Sequence, residues 1–175
     1  MWSKSIDDNR LVFIDESAAK TDLVPLRGWA KKRCFGSKPG SWKTVSMLSF
    51  LKYDGSTDGL FVDGAVDKLT FREFMEEILL PQVKEGEIVI MDNARIHKNS
   101  FDEKKFKEKG VEIKYLPPYS PDLNPIEKMW SKIKSTLRKF KPRNFNEIWR
   151  FGSEAHLDVT PDDAHGWYLS CGYSH

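Results

Sequence analysis

Two short apolar runs constrain the fold of this 175-residue chain more than any other feature. They read LVFID and IVIMD, and each ends in an aspartate, Asp15 or Asp92. Apolar runs of this length that are rich in Val and Ile predict buried strands. Open α/β sheets place their working groups at the carboxyl ends of such strands, so both aspartates are candidates for a functional site. For either residue alone, an aspartate where a strand reaches solvent is the competing interpretation.

The order of the remaining patterns favours a mixed α/β sheet with helices packed on it. The patterns follow one another as three strands, a helix, a strand, a helix, a strand and then helices. Strands are predicted at RLVFIDES, GWAKKRCF, SWKTVSMLSFLKYDG, GEIVIMDNA and VEIKYLP, with turns at GSKPGS and YDGSTDG. Helices are predicted at DKLTFREFMEEILLPQV, NSFDEKKFKEKG, residues 125–141, NFNEIWRFGSEAH and TPDDAHGWYLSCGY. The length suits one domain with a core of its own.

The composition indicates an intracellular protein without a membrane span. Apolar residues make up 39% of the chain, yet no apolar run approaches the roughly 18 residues of a membrane helix. The first residues, MWSKSIDDNR, lack the apolar core of a signal peptide. The two cysteines, Cys34 and Cys171, are therefore predicted to be reduced thiols of a cytoplasmic protein.

A third candidate acid, Glu127, follows the proline-rich segment YLPPYSPDLNPI. Each of its four prolines fixes a φ angle, so the loop loses little entropy when it orders. A preordered carboxylate suits a metal site, because metal ligands have to be held to fractions of an ångström. Asn124 and Pro125 are also typical of a helix start, and Asn-x-x-Glu resembles a capping box, so capping is the alternative role of Glu127.

The helix predicted after this segment has two distinct faces. Apolar residues at helical spacing are expected to pack on the sheet, namely Ile126, Met129 or Trp130, Ile133, Leu137 and Phe140. An adjacent face carries Glu127, Ser131, Lys134 and Arg138 at i, i+4, i+7 and i+11. A basic track would therefore run away from the third acid, and the phosphates of a nucleic-acid strand could follow it.

Basic residues are clustered, although the net charge is only +2. Residues 27–43 hold six of them and residues 128–143 hold seven, and neither range contains an acidic residue. Two such clusters beside an acidic site favour a phosphate backbone as the ligand, whereas a solvated surface explains either cluster alone. The residues predicted to contact DNA are Lys31, Lys32, Arg33, Lys128, Lys134 and Arg138.

Three carboxylates without a Cys or His cluster suit a hard cation that prefers oxygen ligands, Mg²⁺ or Mn²⁺. Two such ions about 4 Å apart can activate a water or a 3′-hydroxyl and stabilise the leaving oxygen of a phosphodiester. The sequence therefore predicts a catalytic site in which Asp15, Asp92 and Glu127 bind two divalent ions.

These acids occur in motifs that resemble a known family. FIDES, MDNARIH and PPYSPDLNPIE are similar to motifs of the catalytic domain of mariner-superfamily DDE transposases, in the bacterial insertion-sequence branch. The 34 residues between Asp92 and Glu127 match the spacing of that superfamily. The resemblance implies a ribonuclease-H-like fold of the retroviral-integrase type, with Asp15, Asp92 and Glu127 as its metal-binding triad.

The resemblance also implies an activity and partners. Members of the family use Mg²⁺ or Mn²⁺ to hydrolyse DNA at transposon ends, and they join the freed 3′-hydroxyl to target DNA, usually at a TA dinucleotide. They commonly act as homodimers on DNA. A bacterial protein of this kind is expected in the cytoplasm, associated with the nucleoid.

Complete family members carry N-terminal helix-turn-helix domains that recognise transposon ends. Here the first predicted strand begins near residue 11, so we expect residues 1–175 to form a single catalytic domain. The product of an upstream reading frame would then supply the DNA-binding domain. A truncated regulatory remnant that binds DNA without cutting it is the alternative, and a host-recruited nuclease of the same fold is a third hypothesis.

Three residues beside the predicted triad receive secondary roles. Glu16 follows Asp15 on a strand and is expected to point to the opposite face. His97 belongs to the family motif and is interpreted as a loop histidine satisfied by the backbone, with an approach to DNA or to the site as the alternative. Asn124 is assigned to helix capping.

Overall fold

The computed structural model describes residues 7–20, 44–118 and 120–173. Five strands form one sheet in the order β3-β2-β1-β4-β5. The strands are β1 (Leu11–Lys20), β2 (Thr44–Lys52), β3 (Thr57–Asp63), β4 (Ile88–Met91) and β5 (Glu112–Tyr115). β1, β2 and β3 pair antiparallel, whereas β4 pairs parallel with both β1 and β5. The predicted mixed α/β sheet is confirmed.

Helices cover both faces of this sheet. Between β3 and β4 a continuous helical segment runs as α1 (Lys68–Glu73), a π-helical stretch (Phe74–Leu79) and α2 (Leu80–Gln82). The later helices are α3 (Glu103–Glu108), α4 (Ile126–Phe140), α5 (Phe145–Leu157) and α6 (Pro161–Ser170). Short 3₁₀ turns at Asp8–Arg10 and Pro121–Leu123 precede β1 and α4. No helix in the described part of the chain has the length and apolarity that crossing a membrane requires.

Successive side chains of β1 belong to two separate cores, because a strand points them to alternate faces of the sheet. Leu11 and Phe13 pack in the first core, with buried residues of α4, α5 and α6. Val12 and Ile14 pack in the second core, with buried residues of the α1–α2 segment and of α3. By this alternation Asp15 faces the side of α4, and Glu16 faces the opposite side.

The first core ties the C-terminal helices to the middle of the sheet. Trp130 and Tyr168 are among its largest fully buried side chains. The Tyr168 hydroxyl lies 2.9 Å from the carbonyl oxygen of Leu11 and 3.1 Å from that of Leu51, so its proton bridges β1 and β2. This contact fixes α6 across the antiparallel pair.

The third strand was not predicted where it occurs. β3 begins inside YDGSTDG, which was interpreted as a turn because Asp and Gly favour turns. Gly59 is needed there for another reason, since a Cβ at this position would lie 2.4 Å from the Leu48 carbonyl oxygen of the neighbouring strand. The strand predicted at GWAKKRCF lies outside the described residues.

Helix α4 begins and ends within one residue of its predicted bounds. Ile126, Met129, Trp130, Ile133 and Leu137 are all buried, as the apolar stripe predicted. The prediction was wrong for Phe140, which is 48% exposed and stacks on Phe151 with ring centres 4.6 Å apart. The helix ends at Lys141, whose φ of 53° is left-handed.

Candidate active site

The three predicted acids meet in one open pocket beside the end of β4. Its volume is about 500 Å³, and Asp15, Asp92 and Glu127 all line it. The parallel register pairs Phe13 with Ile90, so two residues further along Asp15 comes beside Asp92. Glu127 reaches the pocket from the first turn of α4. The remaining wall consists of Asn93, Ala94, Leu116, Pro117, Pro118, Ser120, Pro121 and Asn124.

Asp15 does not end its strand, contrary to the sequence-based prediction. β1 continues to Lys20 and stays paired with β2 over that length. β4 ends at Met91, so the described structure offers β1 no partner on that edge beyond Phe13. The residues after Asp15 (ESAAK) lack the apolar pattern of a buried strand, which is why the sequence did not indicate the extension.

The Asp15 carboxylate is buried next to like charges. Burial, followed by the negative charges of Glu127 and Asp92, raises the pKa of Asp15 to about 7. Its Oδ1 accepts a hydrogen bond from the main-chain N–H of Glu16 at 2.8 Å. Its Oδ2 is buried and has no hydrogen-bond donor. A bound cation would give this buried oxygen the partner that it lacks.

Asp92 contacts His97, which does not line the pocket. His97 Nδ1 is 2.6 Å from Asp92 Oδ1, and its Nε2 is 3.3 Å from Glu16 Oε1. The His97 side chain is almost completely buried, and its ring stacks on Phe71 with ring centres 4.5 Å apart. The interpretation of His97 as satisfied by the backbone was incomplete, because the contact with the Asp92 carbonyl oxygen at 3.2 Å is one of three. Glu16 points away from the pocket, as predicted.

These contacts give the two aspartates opposite electrostatic environments. Burial lowers the pKa of His97, but its hydrogen bonds with Asp92 and Glu16 outweigh burial and raise that pKa to about 9. The side-chain hydrogen bond from His97 in turn lowers the pKa of Asp92. Asp92 is therefore ionised at neutral pH, whereas Asp15 titrates there.

Asn124 does not have the capping role that the sequence predicted. The N-cap of α4 is Pro125, and this end of the helix has no side-chain cap. The main-chain carbonyl of Asn124 accepts a hydrogen bond from the N–H of Glu127 at 3.2 Å, so Glu127 takes no part in a capping box. The Asn124 side chain is 5% exposed in the pocket wall, and its Oδ1 has no hydrogen-bond donor. It is the second buried oxygen of the pocket that lacks a partner.

The predicted DNA contacts fall into two groups. Lys31, Lys32 and Arg33 lie outside the described residues. Lys128, Lys134 and Arg138 lie on α4, where Lys128 is exposed and the other two are half-buried. The neighbouring Lys132 is held instead by Asp163 and by the Asp158 carbonyl oxygen. A basic surface beside Glu127 is therefore present on α4.

The oxygen-containing side chains of the pocket suit a hard cation, although they are not yet gathered tightly enough to coordinate one ion together. Within residues 7–20, 44–118 and 120–173, no three His, Cys, Asp or Glu side chains stand close enough together to hold an ion. The residues that line the pocket nevertheless include three carboxylates and an amide, and Asp15 Oδ2 and Asn124 Oδ1 are buried without donors. Such oxygens fit Mg²⁺ or Mn²⁺ better than a softer metal.

The mixed five-stranded sheet with helices on both faces is the predicted ribonuclease-H-like fold. The family model described as DDE superfamily endonuclease matches residues 10–148. The chain therefore belongs to the DDE endonuclease family, so the predicted fold class and the predicted DDE type of enzyme are confirmed.

Individual relatives agree with this family. The Transposable element Tcb2 transposase of Caenorhabditis briggsae is 26% identical over 90 residues, which cover 49% of this chain and 33% of that protein. The chain thus spans about a third of the length of this curated relative.

Solved structures show the same fold at low sequence identity. The Mos1 transposase paired-end complex with left transposon end has a TM-score of 0.72 at 15% identity, over 91% of this chain and 51% of that one. The Mos1 mariner paired end complex with Mn has a TM-score of 0.69 at 13% identity, over 98% and 56%. The catalytic core domain of BIV integrase has a TM-score of 0.51 at 12% identity, over 95% and 99%.

Proposed function

We propose that the chain is the catalytic domain of a transposase, which cuts DNA at transposon ends and joins the freed 3′-hydroxyl to target DNA. The observation that carries this proposal is the pocket shared by Asp15, Asp92 and Glu127, in which burial and like charge raise the pKa of Asp15 to about 7. Carboxylates that repel one another have shifted pKa values, and groups with shifted pKa values in a cleft are candidates for a functional site. Membership of the DDE endonuclease family supports the same function.

We assign Asp15, Asp92 and Glu127 as ligands of Mg²⁺ or Mn²⁺, with two ions as the expected number. The buried oxygens without donors, Asp15 Oδ2 and Asn124 Oδ1, support a cation in this pocket. The Mos1 complex with Mn supports the same choice of metal. Such ions, when bound, lower the pKa of a water or hydroxyl and neutralise charge on the phosphodiester.

The proposed reaction has two steps. First, a water attacks a phosphorus and the bond to the 3′-oxygen breaks, which leaves the water oxygen on a 5′-phosphate and one water proton on the 3′-hydroxyl. Second, this hydroxyl attacks a target phosphorus and displaces the target 3′-oxygen, which takes up the hydroxyl proton, so the number of phosphodiester bonds is conserved. The chain contributes the three carboxylates and an open pocket, whose wall includes Pro117 and Pro118 with their fixed φ angles. A TA target remains an expectation from the resemblance.

DNA is the proposed partner, and the basic surface of α4 is its proposed contact. Lys128, Lys134 and Arg138 lie on the same helix as Glu127, so phosphates bound by them would lie near the pocket. The Mos1 paired-end complexes support DNA as the partner. A homodimer in the active complex, and an upstream product that carries the DNA-binding domain, remain predictions.

The decisive test combines metal binding with strand cleavage. Mn²⁺ is titrated by calorimetry in the presence of a short duplex DNA, and nicking of the same duplex is followed on a gel. Wild type is compared with Asp92→Asn and with the control Asp122→Asn, an exposed aspartate of the neighbouring 3₁₀ turn outside the pocket wall. We expect wild type and Asp122→Asn to bind Mn²⁺ and cut DNA, and Asp92→Asn to lose both activities.

Two results would count against the proposal. Cleavage by Asp92→Asn at the wild-type rate would show that the assignment of the carboxylates is wrong. DNA binding without Mn²⁺ binding or cleavage by wild type would favour the regulatory remnant instead.

The DNA contacts have a separate test. Replacing both Lys134 and Arg138 with Ala should weaken DNA binding and reduce the slope of log affinity against log salt by about 2, because each phosphate contact contributes about 1. Fluorescence anisotropy at several salt concentrations measures this slope. An unchanged slope would exclude these two residues as phosphate contacts.

A further inference from the structure

We propose that His97 is a positioning residue, which fixes the Asp92 carboxylate for cation binding while Glu16 holds His97 from the other side. This inference rests on the proposed function, because it concerns the same pocket. It gives roles to two residues outside the three assigned ligands.

His97 orients Asp92 through only one of the two carboxylate oxygens. Its Nδ1 lies 2.6 Å from Asp92 Oδ1 and 3.2 Å from the Asp92 carbonyl oxygen, and the main-chain N–H of Ala94 donates to Oδ1 at 3.0 Å. Two donors on Oδ1 fix the rotation of the carboxylate, and they leave Oδ2 for the pocket. Groups that hold a ligand in this way commonly change metal affinity by about 10–100-fold when they are lost.

Glu16 and Phe71 fix the imidazole ring itself. Nε2 of His97 lies 3.3 Å from Glu16 Oε1, and the ring stacks on Phe71 at an interplanar angle of 24°. Glu16 is the neighbour of Asp15 on β1. β1 therefore supplies the Asp15 carboxylate to the pocket and the Glu16 carboxylate to His97, which in turn holds Asp92. A single strand thus helps to set the positions of two proposed ligands, Asp15 and Asp92.

His97 is not placed to take part in the chemistry directly. The residue is 2% exposed, and it is absent from the residues that line the pocket. A group buried in this way cannot contact a DNA strand or a water that attacks it. Its influence on the reaction therefore has to pass through Asp92.

Three substitutions separate the contacts of His97. His97→Asn has an amide nitrogen close to the position of Nδ1 and can keep the bond to Asp92. His97→Gln reaches the position of Nε2 and can keep only the bond to Glu16. His97→Phe keeps a ring on Phe71 and loses both bonds. The matched control is His156→Phe, because His156 is a largely buried histidine that contacts Ser49 and the Gly152 carbonyl oxygen away from the pocket.

The measurement is the Mn²⁺ dissociation constant by calorimetry with duplex DNA present, together with the thermal midpoint of each variant. We expect the Kd to rise at least about tenfold in His97→Phe and His97→Gln, and under about threefold in His97→Asn. The Kd of His156→Phe should equal that of wild type, although its thermal midpoint falls. A role confined to packing would instead lower the midpoint of the His97 variants without this pattern in Kd.

The outcomes distinguish this inference from the function on which it rests. Equal Kd values in wild type, His97→Gln and His97→Phe would overturn the inference and leave the proposed function intact. Equal weakening in His97→Asn and His97→Gln would also overturn it, because the bond to Asp92 would then have no special effect. Absence of Mn²⁺ binding in wild type would overturn both. If His97→Phe does not fold, the comparison of His97→Asn with His97→Gln decides the question.

Discussion

Two largely buried histidines on opposite faces of the sheet have opposite environments. His97 lies on the side of the second core, where Asp92 and Glu16 raise its pKa to about 9. His156 lies on α5 against the first core, where it makes edge contacts with Phe61 and Trp130. Its ring nitrogens lie 2.8 Å from the Gly152 carbonyl oxygen and 3.2 Å from the Ser49 hydroxyl, and burial lowers its pKa.

The difference lies in what each histidine contacts rather than in how deeply it is buried. Main-chain and hydroxyl partners satisfy His156 as a neutral ring, which serves packing. Carboxylate partners make His97 part of a charged group that extends from Glu16 to Asp92. Buried polar residues near a carboxylate cluster therefore belong to the site even when they do not reach solvent, whereas those in an apolar core belong to the fold.

The largest effect is expected on the carboxylate side, at Glu127. Glu127→Gln keeps the size of the side chain and removes its charge, so DNA cleavage should fall by at least about three orders of magnitude, or about 4 kcal/mol in the barrier. Single-turnover cleavage with Mn²⁺ measures this loss. Because Glu127 is exposed, the thermal midpoint should stay near that of wild type. A cleavage rate within tenfold of wild type would contradict the assignment of Glu127 as a metal ligand.

Substitutions in the first core, around His156, should change the free energy of unfolding and not the binding of metal. Trp130 is 1% exposed and contacts His156, so Trp130→Ala should lower the free energy of unfolding by about 3–5 kcal/mol. Trp149, which is 54% exposed on α5, is the control, and its replacement by Ala should cost less than about 1 kcal/mol. Urea titration measures both changes. Equal costs at the two positions would contradict the assigned core.

Asp15 should show a conflict between stability and function. Asp15→Asn removes a buried charge that Glu127 and Asp92 repel, so the protein in EDTA at pH 8 should gain about 1–3 kcal/mol in unfolding free energy. The same variant should lose Mn²⁺ binding. A loss of stability would mean that the ionised Asp15 carboxylate is already well compensated without metal.

The smallest expected effect is the pH dependence that His156 contributes. Its pKa in the folded protein lies below the ordinary value of 6.5, so the unfolded chain binds a proton more readily. The stabilisation is therefore complete above pH 6.5 and is lost as pH falls below that value. Wild type and His156→Gln should differ in slope between about pH 5 and 7, by less than about 1 kcal/mol in total. Parallel slopes in urea titrations would show that His156 is not the titrating group.

Local patterns account for the part of the fold that the sequence predicted well. The apolar stripe of α4 and the short runs of β1 and β4 depend on neighbours in the sequence, so their positions could be inferred. β3 could not be inferred, because Gly59 serves a close approach to β2 and looks like a turn residue. The length of β1 was also missed, since its continuation depends on pairing with β2.

In the candidate site, too, the features set by local sequence could be predicted and those set by distant contacts could not. Asp15, Asp92 and Glu127 lie within distinctive sequence motifs and could therefore be predicted, and all three line one pocket. His97 and Glu16 lie far apart in the chain, so no local sequence pattern predicts their contact. The loss of the capping role at Asn124 likewise depends on the burial of its side chain in the folded pocket.

The position of β1 in the sheet has a consequence for the protein while it is being synthesised. β1, β2 and β3 pair as an antiparallel unit of nearby segments, whereas the pairing of Leu11 with Ile88 has to wait for β4. Long-range parallel pairing of this kind is slow to form. α4 follows β5 in the chain, so a nascent polypeptide still missing α4 holds both aspartates without Glu127. Under the proposed function, such a chain should be unable to cut DNA.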